Sequence, residues 1–255
     1  SKKLIKDINP QCIIHLASIV GAPECEKFPI DAIKTNTEST RLLLNNISPD
    51  VLFLSANTNS QYGTVPDHIL CDENTPTNPL SLYAITKCIS EELICKHKNS
   101  IVLRLATVYG ISTSMMRLDL LINNFVYNCV KNKHLDVFQP EFKRNFIHIN
   151  DVCRAFIHCI NNPKNMKYKV YNLGDDKLNT TKAAISKKIA DLTDASLNLD
   201  FQGKDPDKRS YNCTSQRFYN TGYKISINFE DAIKELIDYC NNITDISNMR
   251  IGYFG

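Results

Sequence analysis

Three short, mostly apolar runs constrain the fold of this 255-residue chain more than any other feature of its sequence. They cover residues 12–17, 51–56 and 101–106, and a polar segment follows each of them. Runs of this length are typical of strands that are buried on both faces of a parallel sheet. Segments with apolar residues at helical spacing, 30–45 and 80–96, lie between them. The alternation predicts an α/β fold with a parallel sheet.

The pattern is less regular after Gly110, and we expect a smaller α/β lobe there. Residues 18–29 are predicted to form a loop. We place one domain at 1–112 and a second, interwoven with the first, at 113–255. The later predicted helices cover 118–130, 151–160, 180–192 and 229–239, and the later predicted strands cover 135–138, 145–149, 168–173 and 197–201.

The composition argues against several classes of protein. The net charge is +3, with 30 basic and 27 acidic residues, which is too balanced to indicate nucleic-acid binding. No apolar run has the length of a membrane span, so no membrane partner is expected. None of the ten cysteines forms a C-x-x-C pair. We therefore expect no metal site and interpret the cysteines as reduced thiols of a cytoplasmic protein, a disulfide framework being the alternative.

One pair of side chains in the predicted helix 80–96 has a chemical use. Tyr83 and Lys87 are four residues apart, so they lie on the same face of a helix. An ammonium group beside a phenol favours the phenolate, which would let Tyr83 act as a base near neutral pH. The spacing alone is also compatible with a surface pair on a solvated helix.

Five segments share their residues and their order with one protein family. On these segments the chain resembles the extended short-chain dehydrogenases/reductases, in particular the NAD-dependent nucleotide-sugar epimerases and dehydratases. The resemblance spans nearly the whole chain. It implies a Rossmann-like doubly wound parallel sheet with a smaller carboxy-terminal α/β substrate lobe. The segments are 13–17, 58–63, 83–87, 104–110 and 144–152, and a later segment, 207–211, resembles the family's arginine-bearing substrate segment.

The resemblance implies catalytic roles for Thr58, Tyr83 and Lys87, with NAD as the cofactor. Hydride would pass between C4 of a hexose ring and the nicotinamide. Tyr83 would remove the proton of the C4 hydroxyl and return it. Lys87 would hold Tyr83 ionised and bond the nicotinamide ribose, and the hydroxyl of Thr58 would hydrogen-bond the same sugar oxygen.

The resemblance also implies binding residues outside this set. Arg144 and Arg209 would contact the nucleotide diphosphate, where a guanidinium suits phosphate oxygens; a surface salt bridge is the alternative for both. His148 is interpreted as a structural hydrogen-bonding residue. Leu16 and Ala17 could equally be ordinary core residues. The implied contacts to NAD are Leu16, Ala17, Asn36, Tyr83, Lys87, Thr107 and Val108, and those to the nucleotide-sugar substrate are Arg117, Asn124, Arg144 and Arg209.

The two residues that directly follow Thr58 bear on which reaction of the family this chain would catalyse. Sugar 4,6-dehydratases carry an Asp and a Glu there, whereas this chain has Asn59 and Ser60. Neither is an acid or base near neutral pH, which argues against dehydration and leaves 4-epimerisation, 4-oxidation or 4-ketoreduction. The leading prediction is a nucleotide-sugar 4-epimerase. The alternatives are a 4-dehydrogenase or 4-ketoreductase, or a catalytically silent nucleotide-sugar or NAD-binding protein. The family also implies a homodimer in which helices 30–45 and 80–96 form a four-helix bundle; their apolar faces could instead cover only the sheet.

One departure from the family is large. The Gly-x-x-Gly-x-x-Gly turn that follows the family's first strand is not found among the eight glycines of this sequence. The run at 12–17 resembles the family's fourth strand, so about 60 residues, or two βα units, are expected to precede it. We therefore expect an amino-terminally truncated chain. The residues that choose between NAD and NADP are not in it, and the sequence does not identify the base or the sugar.

Overall fold

The structure is a computed structural model that describes residues 2–112, 115–166, 168–201, 209–247 and 249–250. Its α-helices are α1 (Lys2–Ile8), α2 (Ala22–Lys27), α3 (Pro29–Ile33), α4 (Ser39–Leu44), α5 (Leu82–Cys95), α6 (Leu121–Asn132), α7 (Ile149–Asn161), α8 (Lys182–Thr193), α9 (Gln216–Tyr219) and α10 (Phe229–Asn242). Its strands are β1 (Cys12–His15), β2 (Leu52–Thr58), β3 (Leu70–Cys71), β4 (Ser100–Leu105), β5 (Thr107–Tyr109), β6 (His134–Asp136), β7 (Lys143–His148), β8 (Val170–Leu173), β9 (Asp175–Thr181), β10 (Ser196–Asn198) and β11 (Asn212–Cys213). A π-helical turn covers Lys34–Glu38, and 3-10 turns cover Asn59–Tyr62 and Pro163–Asn165.

The chain divides into two compact units, and each is built from three separate stretches of sequence. The first unit comprises Ser1–Leu105, Ala155–Leu173 and Pro206–Tyr223. The second comprises Ala106–Arg154, Gly174–Asp205 and Lys224–Gly255. The chain first passes from the first unit to the second after Leu105, whereas the sequence analysis placed the domain boundary at residue 112. None of the helices in the described part of the chain is long and apolar enough to cross a membrane.

The first unit contains the predicted parallel sheet. Its strands lie in the order β1-β2-β4-β8, and every neighbouring pair is parallel. The central strands β2 and β4 are buried along most of their length, as their apolar runs predicted. Phe53 and Val102 pack with Ile94 of α5 in one core cluster. The prediction of an α/β fold with a parallel sheet is confirmed.

Several local predictions for the first unit were wrong. β1 ends at His15 rather than at residue 17. The predicted loop 18–29 contains helix α2, whose six residues are too few to show an apolar period. The predicted helix 30–45 is confirmed in extent, because α3, the π-helical turn and α4 follow one another without a break over residues 29–44; only the π-type turn at its centre was not predicted. A second parallel pair, β3 with β11, was missed because each strand has only two residues.

The second unit is built on a three-stranded sheet with the order β5-β7-β9, in which β5 is parallel and β9 antiparallel to β7. A two-stranded parallel pair, β6 with β10, accompanies it. Helices α6, α8 and α10 contribute Phe125, Ile185 and Leu236 to one large core cluster, which also contains Tyr109 and Phe146. β9 was missed because its residues are mostly polar and only one of them is buried.

Candidate active site

Helix α5 carries Tyr83 and Lys87 and begins at Leu82, later than the predicted start near residues 79–80. The reason is a cap: Ser81 has extended backbone angles, and its hydroxyl accepts a hydrogen bond from the backbone N–H of Ala84 at 3.2 Å. Tyr83 therefore lies in the first turn, where it is half-buried. Lys87 follows one turn later on the same face.

Lys87 is a buried lysine, with 7% of its surface exposed. Its Nζ donates a hydrogen bond to the carbonyl of Ala56 at 2.8 Å, which holds α5 against the carboxyl end of β2. Burial lowers the pKa of Lys87 to about 8, while nearby Cys25 and Glu91 act in the opposite direction. The alternative of a surface pair is wrong for this lysine. Near neutral pH it remains a cation beside the first turn of α5.

Thr58 ends β2 and is buried two residues beyond Ala56. Its Oγ1 accepts the backbone N–H of Ser60 at 3.1 Å and lies 2.7 Å from the Ser60 hydroxyl. Between them, Asn59 is fully buried, and neither atom of its amide has a hydrogen-bond partner within the described residues. Asn59 and Ser60 therefore stand as neutral groups beside the hydroxyl of Thr58.

Gly63 closes the turn that begins at Thr58. Its φ of +67° lies in the left-handed region, and a Cβ at this position would lie 2.1 Å from the carbonyl oxygen of Asn78. Asn78 in turn donates its backbone N–H to the carbonyl of Gln61 at 2.8 Å. Only glycine fits this close approach, so the Tyr62-Gly63 pair in the sequence marks a real constraint on the backbone.

Asn36 lies in the π-helical turn and is buried. Its Oδ1 accepts hydrogen bonds from the Ser18 hydroxyl and from the Ile19 N–H, both at 2.8 Å. Its Nδ2 donates to the Ile19 carbonyl and to the Thr86 hydroxyl, both at 3.0 Å. Asn36 thus ties the segment after β1 to α5, next to Lys87. Turns of the π type often occur at functional sites because they re-aim side chains.

The other predicted residues of the first unit lie at its surface. Leu16 and Ala17 follow the end of β1 and are exposed, so the alternative that they are ordinary core residues is wrong. Arg209 is half-buried. The next residue, Ser210, bonds the carbonyl of Gly63 through its backbone N–H, which brings the arginine's segment beside the turn that Thr58 begins. Residues 207 and 208 of the predicted substrate segment lie outside the described residues.

The remaining predicted binding residues lie in the second unit. Thr107 and Val108 form the half-buried start of β5. Arg144 is 2% exposed, so the alternative of a surface salt bridge is wrong for it. Arg117 forms a two-pronged ion pair with Asp119, with both contacts at 2.6 Å.

Two more residues of the second unit have internal partners. The Nδ2 of Asn124 donates to the Leu118 carbonyl at 3.1 Å, and its Oδ1 accepts from Asn128 at 3.0 Å. His148 is buried, and its Nδ1 accepts the Asn150 N–H at 3.3 Å. Burial lowers the pKa of His148. The Nδ1 contact fits the structural interpretation of His148, whereas its buried Nε2 has no hydrogen-bond partner within the described residues. The contacts of Asn124 engage its polar atoms within the unit.

A buried group of polar residues that the sequence analysis did not assign to the site surrounds Glu91. The carboxylate of Glu91 accepts hydrogen bonds from Arg104 Nε at 3.0 Å and Nη2 at 2.5 Å. It also accepts from the amides of Asn57 at 3.0 Å and Gln61 at 3.3 Å. Arg104 Nη1 donates to the Tyr62 hydroxyl at 2.9 Å. Spacing could have found Glu91, because it lies four residues after Lys87 on the same helix.

The donor set around Lys87 fits the ribose end of a nicotinamide cofactor. An ammonium group has three N–H donors, and the described residues supply one hydrogen-bond acceptor, the Ala56 carbonyl. The remaining donors suit a ribose hydroxyl or an ionised phenol. The described residues hold no group of three or more His, Cys, Asp or Glu side chains placed to bind a metal ion.

Comparison with known proteins relates most of the chain to one family. The model of the NAD dependent epimerase/dehydratase family matches residues 1–174. A putative UDP-glucose 4-epimerase of Methanocaldococcus jannaschii is 22% identical over 253 residues, which cover 93% of this chain and 78% of that protein.

Solved structures share the fold. The UDP-glucose 4-epimerase of Thermotoga maritima with UDP-glucose aligns with a TM-score of 0.78 at 20% identity and covers 94% of this chain and 80% of its own. The NAD-dependent NDP-hexosamine 5,6-dehydratase TunA aligns with a TM-score of 0.81 at 22% identity and covers 97% and 81%. At these identities, the two likenesses concern the Rossmann-like fold alone.

Proposed function

We propose that this chain, which belongs to the NAD dependent epimerase/dehydratase family, is a nucleotide-sugar 4-epimerase that acts by transient hydride transfer at C4 of a hexose. One observation carries the proposal. Lys87 is buried one helical turn after Tyr83, and its Nζ is bonded to the strand that ends at Thr58. A phenol, a buried cation and a hydroxyl on adjoining elements are the groups that proton removal from a sugar hydroxyl needs.

The chain's own residues perform the proton chemistry. NAD, when bound, takes up the hydride of C4 and gives it back. Tyr83 removes the proton of the C4 hydroxyl and later returns it. Lys87 favours the ionised form of Tyr83 because a cation stabilises a nearby anion. Thr58 donates a hydrogen bond to the sugar oxygen, and Lys87 is the residue proposed to hold the nicotinamide ribose.

Epimerisation is favoured over dehydration by the neutral groups beside Thr58. Elimination of water from a sugar needs an acid for the departing hydroxyl and a base for the carbon-bound proton. The two residues after Thr58 are Asn59, which is fully buried, and Ser60, whose hydroxyl lies 2.7 Å from that of Thr58. Neither can exchange a proton near neutral pH.

Arg144 and Arg209 are proposed to contact the diphosphate of the substrate, and Asn36, Leu16, Ala17, Thr107 and Val108 the cofactor. Arg117 and Asn124 are also proposed to contact the nucleotide-sugar substrate, although both have partners within the second unit. Arg117 would have to exchange its pairing with Asp119 for the substrate, and both amide atoms of Asn124 already have partners.

Replacement of Tyr83 by phenylalanine tests the proposal. Purified protein would be incubated with UDP-glucose, and later with other nucleotide-sugars, without added cofactor, and the C4 epimer would be quantified by anion-exchange chromatography. Y83F should lower turnover by about 10²–10⁴-fold, the usual contribution of a general acid–base group. Nucleotide-sugar affinity, measured by calorimetry, should change little. Tyr127→Phe, a half-buried tyrosine of α6, is the matched control.

Four results would contradict the proposal in different ways. Unchanged turnover in Y83F would exclude the mechanism. Stoichiometric reduction of added NAD⁺ by UDP-glucose would identify a 4-dehydrogenase, and stoichiometric oxidation of NADH or NADPH by a 4-keto nucleotide-sugar would identify a 4-ketoreductase. Tight binding of nucleotide-sugars by the wild-type protein without any turnover would identify a binding protein.

We also propose that the protein is a cytoplasmic homodimer formed through the helices that precede and contain the site. Ile30 and Ile33 on α3 are exposed by 65% and 45%, and Ile85 and Ile89, four residues apart on α5, by 42% and 45%. An apolar surface on two helices suits a four-helix bundle with a second copy. None of the ten cysteines, all of which lie in the described residues, forms a disulfide, as is usual in the cytoplasm. Light scattering should give twice the chain mass, and a monomer mass would contradict this.

A further inference from the structure

Glu91 is buried on the same face of α5 as the two proposed catalytic residues. It follows Lys87 by one helical turn and Tyr83 by two, and 7% of its surface is exposed. Its carboxylate joins α5 to three other segments of the first unit. Arg104 of β4 donates twice, and the amides of Asn57 and Gln61 donate once each.

The amide of Asn57 connects this carboxylate to Thr58. Its Nδ2 lies 3.0 Å from Glu91 Oε2 and 3.0 Å from the carbonyl oxygen of Lys87. Its Oδ1 accepts the backbone N–H of Thr58 at 2.9 Å. Glu91 therefore holds one end of an amide whose other end fixes the backbone of Thr58. The helix that carries Tyr83 and the strand that carries Thr58 share this link.

The loop after Thr58 is held by the same carboxylate through a second amide. Gln61 Nε2 donates to Glu91 Oε2 at 3.3 Å, and Gln61 Oε1 accepts the thiol of Cys88 at 3.2 Å. Cys88 adjoins Lys87 on α5. The segment from residue 57 to residue 61 is thus fastened to one helix at both ends.

We propose that Glu91 is a positioning residue of the active site, which acts through Asn57 and Gln61 to set the distance between the hydroxyl of Thr58 and the Tyr83–Lys87 face of α5. The inference rests on the proposed function and adds a residue to that same site. Misplacement of a catalytic group by about 1 Å can lower turnover by about 10²-fold. Loss of this link should therefore lower kcat more than it changes KM.

The charge of Glu91 has a second consequence for Lys87. Among the described residues, Glu91 on its own helix, Cys25 on α2 and His15 on β1 interact electrostatically with Lys87, and Tyr83 lies one helical turn before it. Burial lowers the pKa of Lys87, and Glu91 and Cys25 raise it. Removal of the Glu91 charge should lower the pKa of Lys87 further. The cation that activity requires would then be lost at a lower pH, so the alkaline limb of the kcat profile should move to lower pH.

Three variants of the purified full-length protein separate positioning from charge. Glu91→Gln keeps the shape and removes the charge, Asn57→Ala removes the amide link and keeps the charge, and Glu92→Gln removes an exposed carboxylate next to Glu91. We expect kcat to fall about 10–100-fold in E91Q and N57A, with KM within about twofold, by the misplacement argument. The alkaline limb should move only in E91Q, and E92Q should match the wild type.

A measurement that does not depend on enzyme activity tests the inference apart from the proposed function. The Lys87 pKa can be followed by NMR of ¹³Cε-labelled lysine, with the signal assigned by its absence from Lys87→Met. A lower Lys87 pKa in E91Q and an unchanged one in N57A and E92Q support the inference. Wild-type kcat in folded E91Q and N57A would overturn it. If the wild-type protein has no epimerase activity, the proposed function fails, and an unchanged NMR signal of the Thr58 backbone N–H in both E91Q and N57A overturns the inference independently.

Discussion

The two units each contain a deeply buried carboxylate, Glu91 in the first and Asp151 in the second, and the carboxylates differ in the kind of partner that they use. Glu91 accepts hydrogen bonds only from side chains in the described structure: Arg104, Asn57 and Gln61. The hydrogen bonds of Glu91 therefore depend on particular amino acids at these positions. Two of those positions lie on the segment that carries the proposed catalytic residue Thr58.

Asp151 lies in the first turn of α7 and is 1% exposed. It accepts two backbone N–H groups, those of Ser226 and Ile227, both at 3.1 Å, and the Ser226 hydroxyl at 3.0 Å. Arg154 adds a contact at 2.6 Å from a side chain that is 47% exposed. Asp151 holds the segment before α10, and two backbone N–H groups are among its donors, whereas Glu91 accepts from side chains alone in the described part of the chain. A buried carboxylate thus links the elements of the proposed site in one unit and holds a chain segment in the other.

The largest loss of stability should come from removal of Arg104, the cation that pairs with Glu91. Arg104→Met leaves a carboxylate buried without its charge partner, which typically costs about 3–5 kcal/mol of unfolding free energy. It also removes the donor to the Tyr62 hydroxyl. Equilibrium urea unfolding measures the change.

The double variant Glu91→Leu with Arg104→Met is the control. Removing both charges should recover most of the loss, because a buried pair is often replaceable by apolar residues of similar volume. A single R104M variant as stable as the wild type would show that water reaches Glu91, and the comparison with Asp151 would lose its basis.

An intermediate effect is expected when Asp151 is replaced by asparagine. The amide keeps one acceptor oxygen, and its NH₂ group faces a backbone donor, so at least one of the Ser226 and Ile227 N–H groups loses its partner. Hydrogen bonds to charged groups contribute about 1.5–3 kcal/mol each, and we expect a loss in that range. Hydrogen exchange at the two amides should accelerate, while amides of β2 in the first unit should exchange as before. Unchanged protection of both amides would contradict the assignment.

The contrast also explains how much of the fold was predictable. β2 and β4 were found because strands buried on both faces need continuous apolar runs, and α5 was found from its helical period. β9 has the sequence of a loop, since pairing with β7 rather than burial makes it a strand. The π-helical turn around Asn36 lies in residues 34–41, which carry no apolar side chain, so the apolar pattern gives no sign of it.

The residues of the candidate site likewise differ in how far the sequence could predict them. Tyr83 and Lys87 were proposed from their residue types and four-residue spacing, and Thr58 was proposed from the family resemblance. Glu91 continues the spacing of Tyr83 and Lys87, but its importance depends on Asn57, which is distant in sequence. The backbone donors of Asp151 could not be found at all, because every residue type except proline supplies the same N–H group.

The smallest effect should come from the exposed partner of Asp151. Arg154 lies 2.6 Å from the Asp151 carboxylate and also contacts the Ser226 hydroxyl, yet nearly half of its side chain is in solvent. Water screens such a pair, and exposed ion pairs contribute about 0–1 kcal/mol. Arg154→Gln should therefore lower the unfolding free energy by less than about 1 kcal/mol, and added salt should reduce the difference further. A loss as large as that of D151N would mean that the side-chain cation, and not the backbone, holds Asp151, which would make the two carboxylates alike.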